Sequence, residues 1–124
     1  LQTSRYRINL FVRTPALEQI RRYSYFEIRK KSKVVEIEPL SGMLEGEASK
    51  EFQSALAMAF YESSRHVKLE LGNVKTPSIA TLEKLVKYAL DLREKKRVFI
   101  FSHPSLPIRK YLERFRLTEI ILIL

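Results

Sequence analysis

The strongest constraint on the fold is a change of hydrophobic period along residues 66–101. Val67, Leu69 and Leu71 alternate with Lys68 and Glu70, the period of two that marks a strand. From Ile79 the spacing lengthens to three and four. Ile79, Leu82, Leu85, Val86, Ala89 and Leu90 fall on one helical face, and Lys84, Lys87, Asp91 and Glu94 fall largely on the other. Val98-Phe99-Ile100-Phe101 then runs apolar without a break, as expected of a strand buried on both faces. Strand, helix, strand in this order implies a right-handed crossover between parallel strands.

The rest of the chain extends the pattern. Residues 23–40 read as a β-hairpin. Tyr23, Tyr25, Phe26 and Ile28 supply one strand and Lys30-Lys31-Ser32-Lys33 the turn. Val34, Val35, Ile37 and Leu40 supply the return, with Glu36 and Glu38 facing out. Ala48 to Ser63 is amphipathic through Phe52, Leu56, Ala59 and Phe60. Thr76-Pro77-Ser78 offers caps for the helix that follows. Lys95-Lys96-Arg97 places positive charge beside that helix's C-terminus, where the dipole favours it. Leu106 to Phe115 forms a short helix with Pro107 in its first turn, and Ile120 to Leu124 a last strand. The expected fold is therefore α/β in the order β-β-α-β-α-β-α-β, with a mixed sheet of about five strands and helices packed on it.

Residues 23–124 form that domain, and residues 1–22 a basic N-terminal extension. Within the extension, Tyr6, Ile8, Leu10 and Val12 give Arg5 to Val12 one apolar side, which suits a strand. Thr14-Pro15 suits a helix start, with two helical turns over residues 16–22. The sequence opens on Leu1 rather than methionine, as a processed form or a piece of a longer protein would.

At 124 residues the chain suits one domain with one core. It has no cysteine, which excludes disulfides, a thiol nucleophile and thiolate metal sites, and fits a cytoplasmic protein. No apolar run approaches the roughly 18–20 residues of a membrane span. The net charge of +9 is uneven: residues 1–33 hold nine Lys or Arg against two acids. Arg5, Arg7, Arg13, Arg21, Arg22, Lys30 and Lys31 make a basic patch interleaved with Tyr6, Phe11, Tyr23 and Tyr25. Such a patch suits nucleic acid or an anionic surface; its plainer role is a solvated, solubilising segment.

Nothing in the sequence supports catalysis. No phosphate-binding glycine loop, zinc-binding helix motif or calcium loop occurs, and no catalytic residue, metal ligand or cofactor is expected. His66 and His103 are the two histidines. His103 follows Ser102 at the end of a buried strand, but strand neighbours point to opposite faces, so adjacency makes no dyad. Glu36/Glu38 and Glu45/Glu47 read as solvent-facing charges rather than acid–base couples.

Several strings, in order, resemble a STAS domain, the fold of bacterial anti-sigma-factor antagonists. Leu40-Ser41-Gly42-Met43-Leu44-Glu45 is similar to the family's Leu-x-Gly-x-Leu-Asp, with Glu45 for aspartate. His66 to Leu71 with Asn73-Val74 resembles the third strand and its exit. Leu106-Pro107-Ile108-Arg109-Lys110-Tyr111-Leu112 resembles the Ser-Pro-x-Val-x-Arg-x-Leu helix entry, and Leu117 to Ile121 the terminal strand. The family's Asp-Ser-Ser-Gly switch falls on Ser78-Ile79-Ala80-Thr81, so the phosphorylatable serine is replaced by Ile79. Arg116 stands where a glycine usually precedes the last strand, and the sequence stops at Leu124, where the family generally adds a helix.

The resemblance implies a non-catalytic protein–protein interaction module not switched by phosphorylation at the usual position. Its partner-binding loop would comprise Pro77, Ser78, Ile79, Ala80 and Thr81, with Glu45 and Gly46 beside it. The partner would be an anti-sigma-factor-like kinase or another regulator, and a homo-oligomer fits as well. Ile79 has two readings: an exposed contact, or a core residue in register with Leu82 and Val86. Thr76, Ser78 and Thr81 keep hydroxyls nearby. The alternatives are nucleic-acid or anionic-surface binding through the basic segment, and a small-ligand-sensing STAS domain of a larger protein.

Overall fold

The computed structural model describes residues 19–124. Six strands form one mixed sheet: β1 (Gln19–Arg22), β2 (Phe26–Lys30), β3 (Val34–Pro39), β4 (His66–Glu70), β5 (Phe99–Ser102) and β6 (Ile121–Ile123). Three helices join the parallel strands: α1 (Ser49–Tyr61), α2 (Ile79–Glu94) and α3 (Leu106–Arg114). β1, β2 and β3 pair antiparallel, and β3 through β6 pair parallel, all in sequence order.

That order decides where the helices lie. Right-handed crossovers stepping in one direction put every helix on the same face. The burial pattern agrees. Phe52, Leu85, Ile108 and Leu112 from the helices share one core with Phe26, Ile37, Leu69, Phe99 and Phe101 from the sheet. Each fully buried phenylalanine contributes about 2–3 kcal/mol of transfer free energy. No described element covers the opposite face.

The sheet has six strands rather than about five, because Gln19–Arg22 pairs with β2 instead of forming helical turns. β-pairing to a neighbouring strand satisfies this backbone better than a short exposed helix would. The strand expected over residues 5–12 and the Thr14-Pro15 helix start lie outside the described residues. Val98–Phe101 is not buried on both faces: Phe99 and Phe101 are buried, Ile100 is half-buried and Val98 is exposed. The apolar face of α2 is narrower than its spacing suggests, since Ile79 and Leu90 are exposed while Leu82, Leu85, Ala89 and Leu92 are buried.

Glu36 does not face solvent either. It is buried on the uncovered side of the sheet, where Arg29 Nε donates to it at 2.8 Å and Lys68 Nζ lies at 3.3 Å. Arg29 also binds Glu27 and Glu38, and Arg22 reaches Glu27 at 2.7 Å. Burial opposes the charge on Glu36, yet Arg29, Lys31 and Lys68 hold its carboxyl below the ordinary range.

Arg97 departs from its expected role. It does not cap α2. Its guanidinium reaches across to the end of α1, donating to the carbonyls of Ala59 at 2.7 Å, Phe60 at 2.9 Å and Arg65 at 2.7 Å. These are carbonyls that a helix terminus and its exit leave unpaired. Arg116 has a φ of 55°, the left-handed conformation that glycine adopts most freely.

Candidate functional site

The C-terminal ends of β3 and β4 carry two loops that fold against each other. Residues 40–46 leave β3 and residues 71–78 leave β4. Lys75 N donates to Gly42 O at 3.0 Å, which pins one loop to the other. Gly42 has φ +76°, and a Cβ there would meet Asn73 O at 2.6 Å, so glycine is required twice over. In open α/β sheets this end of the strands is where ligands and partners commonly meet the fold.

Glu45 is the hub of the contact. Its Oε2 accepts from Ser78 Oγ and Thr81 Oγ1, both at 2.5 Å, and from Ser78 N at 3.1 Å. Donation from the Ser78 hydroxyl, then the Thr81 hydroxyl and the Ser78 amide, holds its carboxyl below the usual range. Ser78 is the N-cap of α2 and accepts from Thr81 N at 3.2 Å. So Glu45 and Ser78, 33 residues apart, fix where α2 begins. Glu45 is therefore a structural tie rather than a free charge. Ser78→Ala removes both the cap and one Glu45 bond. It should cost about 1 kcal/mol in a urea titration, with the fold retained.

Ile79 does not pack inward. It is 59% exposed, one residue past the cap. It opens onto a groove of about 370 Å³ between α2 and α3, lined by Ile79, Glu83, Val86, Tyr111, Phe115 and Leu117. Tyr111 and Phe115 form its aromatic wall, with ring centroids 5.0 Å apart. This wall is not among the residues expected at the site. Its signal is the run Ile108, Tyr111, Leu112, Phe115 at spacings of three and four, one apolar stripe of which Ile108 and Leu112 are buried and Phe115 stays exposed. Pro77 is buried, Ala80 and Gly46 are exposed, and Gly46 opens the short 3-10 turn that leads into α1.

The expected loop residues thus come together, but the basic patch does not. Arg5, Arg7 and Arg13 lie outside the described residues. Arg21 and Arg22 alternate across β1, so they serve opposite faces. Arg22 pairs with Glu27, and Lys31 lies 3.6 Å from Glu36. Lys30 points to the helix side, near Arg21, Val35 and Glu62. Within residues 19–124 these bases do not line one surface.

Ser102 and His103 do meet, against the expectation that strand neighbours diverge. His103 has a φ of 54°, which turns its ring back so that Nδ1 lies 3.0 Å from Ser102 Oγ. Glu70 Oε2 lies 3.1 Å from the same nitrogen. A serine-activating histidine needs one ring nitrogen for the hydroxyl and the other for the acid. Here both partners compete for Nδ1, and Ser102 is buried. The cluster fastens the ends of β4 and β5 rather than arranging a nucleophile. Among the described residues, no group of three or more His, Cys, Asp or Glu is placed to hold a metal ion. Nor is any helix there long and apolar enough to cross a membrane.

No protein-family model matches this chain, and no curated protein matches it significantly.

Proposed function

We propose that the chain is a non-catalytic protein-interaction module. Its contact surface is the Ser78–Thr81 helix start together with the α2–α3 groove. The observation that carries this reading is the exposure of Ile79 beside Glu45, Ser78 and Thr81, on a helix start those residues make rigid. An exposed β-branched side chain on a fixed backbone, continuous with an aromatic-lined groove, has the composition of an interface core. Rigidity lowers the entropy cost of docking.

The STAS resemblance gives the same surface a regulatory sense. In that family a phosphate at this helix start would weaken docking through its charge. Isoleucine accepts no phosphate. The nearby hydroxyls of Ser78 and Thr81 are both engaged by Glu45, and a phosphate on either would lie against that carboxylate. The module is therefore constitutively competent to bind. Its partner is an anti-sigma-factor-like kinase or another regulator that presents an apolar anchor to the groove.

Ile79→Glu tests the reading. Position 79 is exposed, so the variant should keep its circular dichroism spectrum and melting midpoint. In a crosslinked pull-down from source-cell lysate, one protein captured by the natural chain should be lost, a fall in binding of about a hundredfold. Retention of the same proteins by the folded variant would remove this surface from the account.

A further inference from the structure

The parallel strands β3 to β6 all begin at one end of the sheet. The segments that lead into them therefore share that end: residues 31–33, 62–65, 95–98 and 115–120. Hydrogen bonds stitch the first three together. His66 N donates to Lys33 O at 3.1 Å, Arg97 Nε to Arg65 O at 2.7 Å, and Val98 N to His66 Nδ1 at 3.0 Å.

Charge at this end is one-sided. Lys33, Arg65, Lys95, Lys96 and Arg116 stand against Glu62 and Glu119. None of these bases is paired with a carboxylate among the described residues. All but the half-buried Arg65 are exposed. Arg65 Nε is buried with no hydrogen-bond partner, so an acceptor brought here gains a bond that the chain does not make for itself. The loops at the opposite end, residues 40–48, 71–78 and 103–105, carry Lys75 against Glu45 and Glu47. Helix dipoles favour cations after α2 and α3. They do not account for Lys33, which lies in the turn between two strands.

An aromatic cavity adjoins this end. It occupies about 400 Å³ between α1 and α2, and its walls include Phe60, Tyr61, Tyr88, Asp91, Glu94 and Lys95. Tyr61 is 81% exposed, more than any other large apolar side chain described, and its ring meets Phe60 edge-on at 4.9 Å.

We infer that this end binds single-stranded nucleic acid, with phosphates on Lys33, Arg65, Lys95 and Lys96 and an unpaired base against Tyr61. Cations beside an exposed ring match a strand that alternates phosphates with flat bases. Asp91 and Glu94 decide against an anionic membrane. Two carboxylates in the cavity repel a continuous anionic surface, whereas a nucleobase is uncharged and brings amino donors to them. The Ser78–Thr81 helix start lies at the other end of the strands, so this surface is separate from the one proposed for a protein partner.

Fluorescence anisotropy of the full chain with a labelled oligouridylate of about twelve nucleotides tests this, at salt from about 50 to about 200 mM. The natural chain should bind it, and more tightly than a duplex of the same length, whose bases are already stacked. Lys33→Glu and Lys95→Glu, both at exposed positions, should each weaken binding about tenfold and flatten its salt dependence. Tyr61→Ala should also weaken binding about tenfold but leave the salt dependence as it was, because stacking releases no counterion. Ile79→Glu should bind like the natural chain. Absence of binding at about 50 mM salt overturns the inference. So does binding that the folded lysine variants leave unchanged; its loss on combining Arg5→Glu, Arg7→Glu and Arg13→Glu would then place it on residues 1–18. A silent Tyr61→Ala overturns it too, and phosphatidylserine vesicles that compete for the same lysines would then make this end a membrane contact.

Discussion

Arg97→Met is expected to destabilise the chain by about 4 kcal/mol, the largest effect of any single substitution considered. The side chain is 7% exposed and closes the end of α1 from the far side of the core. Its three hydrogen bonds run to carbonyls of Ala59, Phe60 and Arg65, none of which has another described partner. Methionine fills similar volume and keeps the apolar packing against Phe60. The cost is therefore the stranding of one buried and two part-buried acceptors, about 1–3 kcal/mol for each that water does not reach. Arg97→Lys should recover part of the loss, because an ammonium reaches one or two of the carbonyls but cannot span all three. The measurement is a urea titration with both variants, reading the midpoint at unchanged slope. A loss under about 1 kcal/mol for Arg97→Met would mean that water replaces the guanidinium without penalty.

Gly42→Ala is the second large effect, about 3 kcal/mol, and it reaches the candidate site. Two costs add. A φ of +76° is strained for any residue with a Cβ, by about 1–2 kcal/mol. The new methyl would also press on the backbone oxygen of Asn73 at 2.6 Å, an overpacking cost of about 1–3 kcal/mol. Relief requires the 40–46 and 71–78 loops to separate. That separation stretches the Lys75 to Gly42 hydrogen bond and the Glu45 contacts to Ser78 and Thr81. The variant should therefore lose protection of the Lys75 and Ser78 amides from hydrogen exchange along with its stability. Gly46→Ala is the control: it shares a positive φ of 67° but has open space around it, so it should cost only the conformational part. Equal losses at both glycines would mean that the close approach of Asn73 has no energetic weight.

Much of this architecture is legible in the residues, for identifiable reasons. The switch from alternation at Val67–Leu71 to helical spacing at Leu82–Ala89 fixes a crossover. The sheet then has to be largely parallel from β3 onward. The hairpin between β2 and β3 follows from a polar turn between two apolar runs. Periodicity fails where burial depends on neighbours distant in sequence. Val98–Phe101 reads as buried on both faces because its composition is apolar, and only the one-directional topology shows that one face is bare. Glu36 reads as a surface charge because alternation is blind to Arg29, seven residues earlier on the neighbouring strand. Arg97 reads as a dipole charge for α2 because no local pattern announces a long reach back to α1.

At the site, the loop residues were identifiable from resemblance and their coupling was not. Glu45, Ser78 and Thr81 are adjacent only through the close packing that Gly42 permits. Ile79 fits the apolar spacing of α2 and is nonetheless exposed, at the helix's first residue, on the rim of the α2–α3 groove. Local spacing describes a face; the tertiary fold decides how much of that face is covered. The Tyr111–Phe115 wall was visible as a spacing but had no meaning until α3 lay beside α2. His103 required a left-handed φ that nothing in its neighbours forces.

On the proposed function, position 79 meets a protein partner directly. A photocrosslinking amino acid introduced at position 79, with a second chain carrying it at the exposed Tyr61 on α1, tests this in source cells. One protein should be joined to the chain from position 79, absent from the position 61 sample, and lost from position 79 when Phe115→Ala is added. The same set of proteins from both positions, or none from position 79, would contradict it.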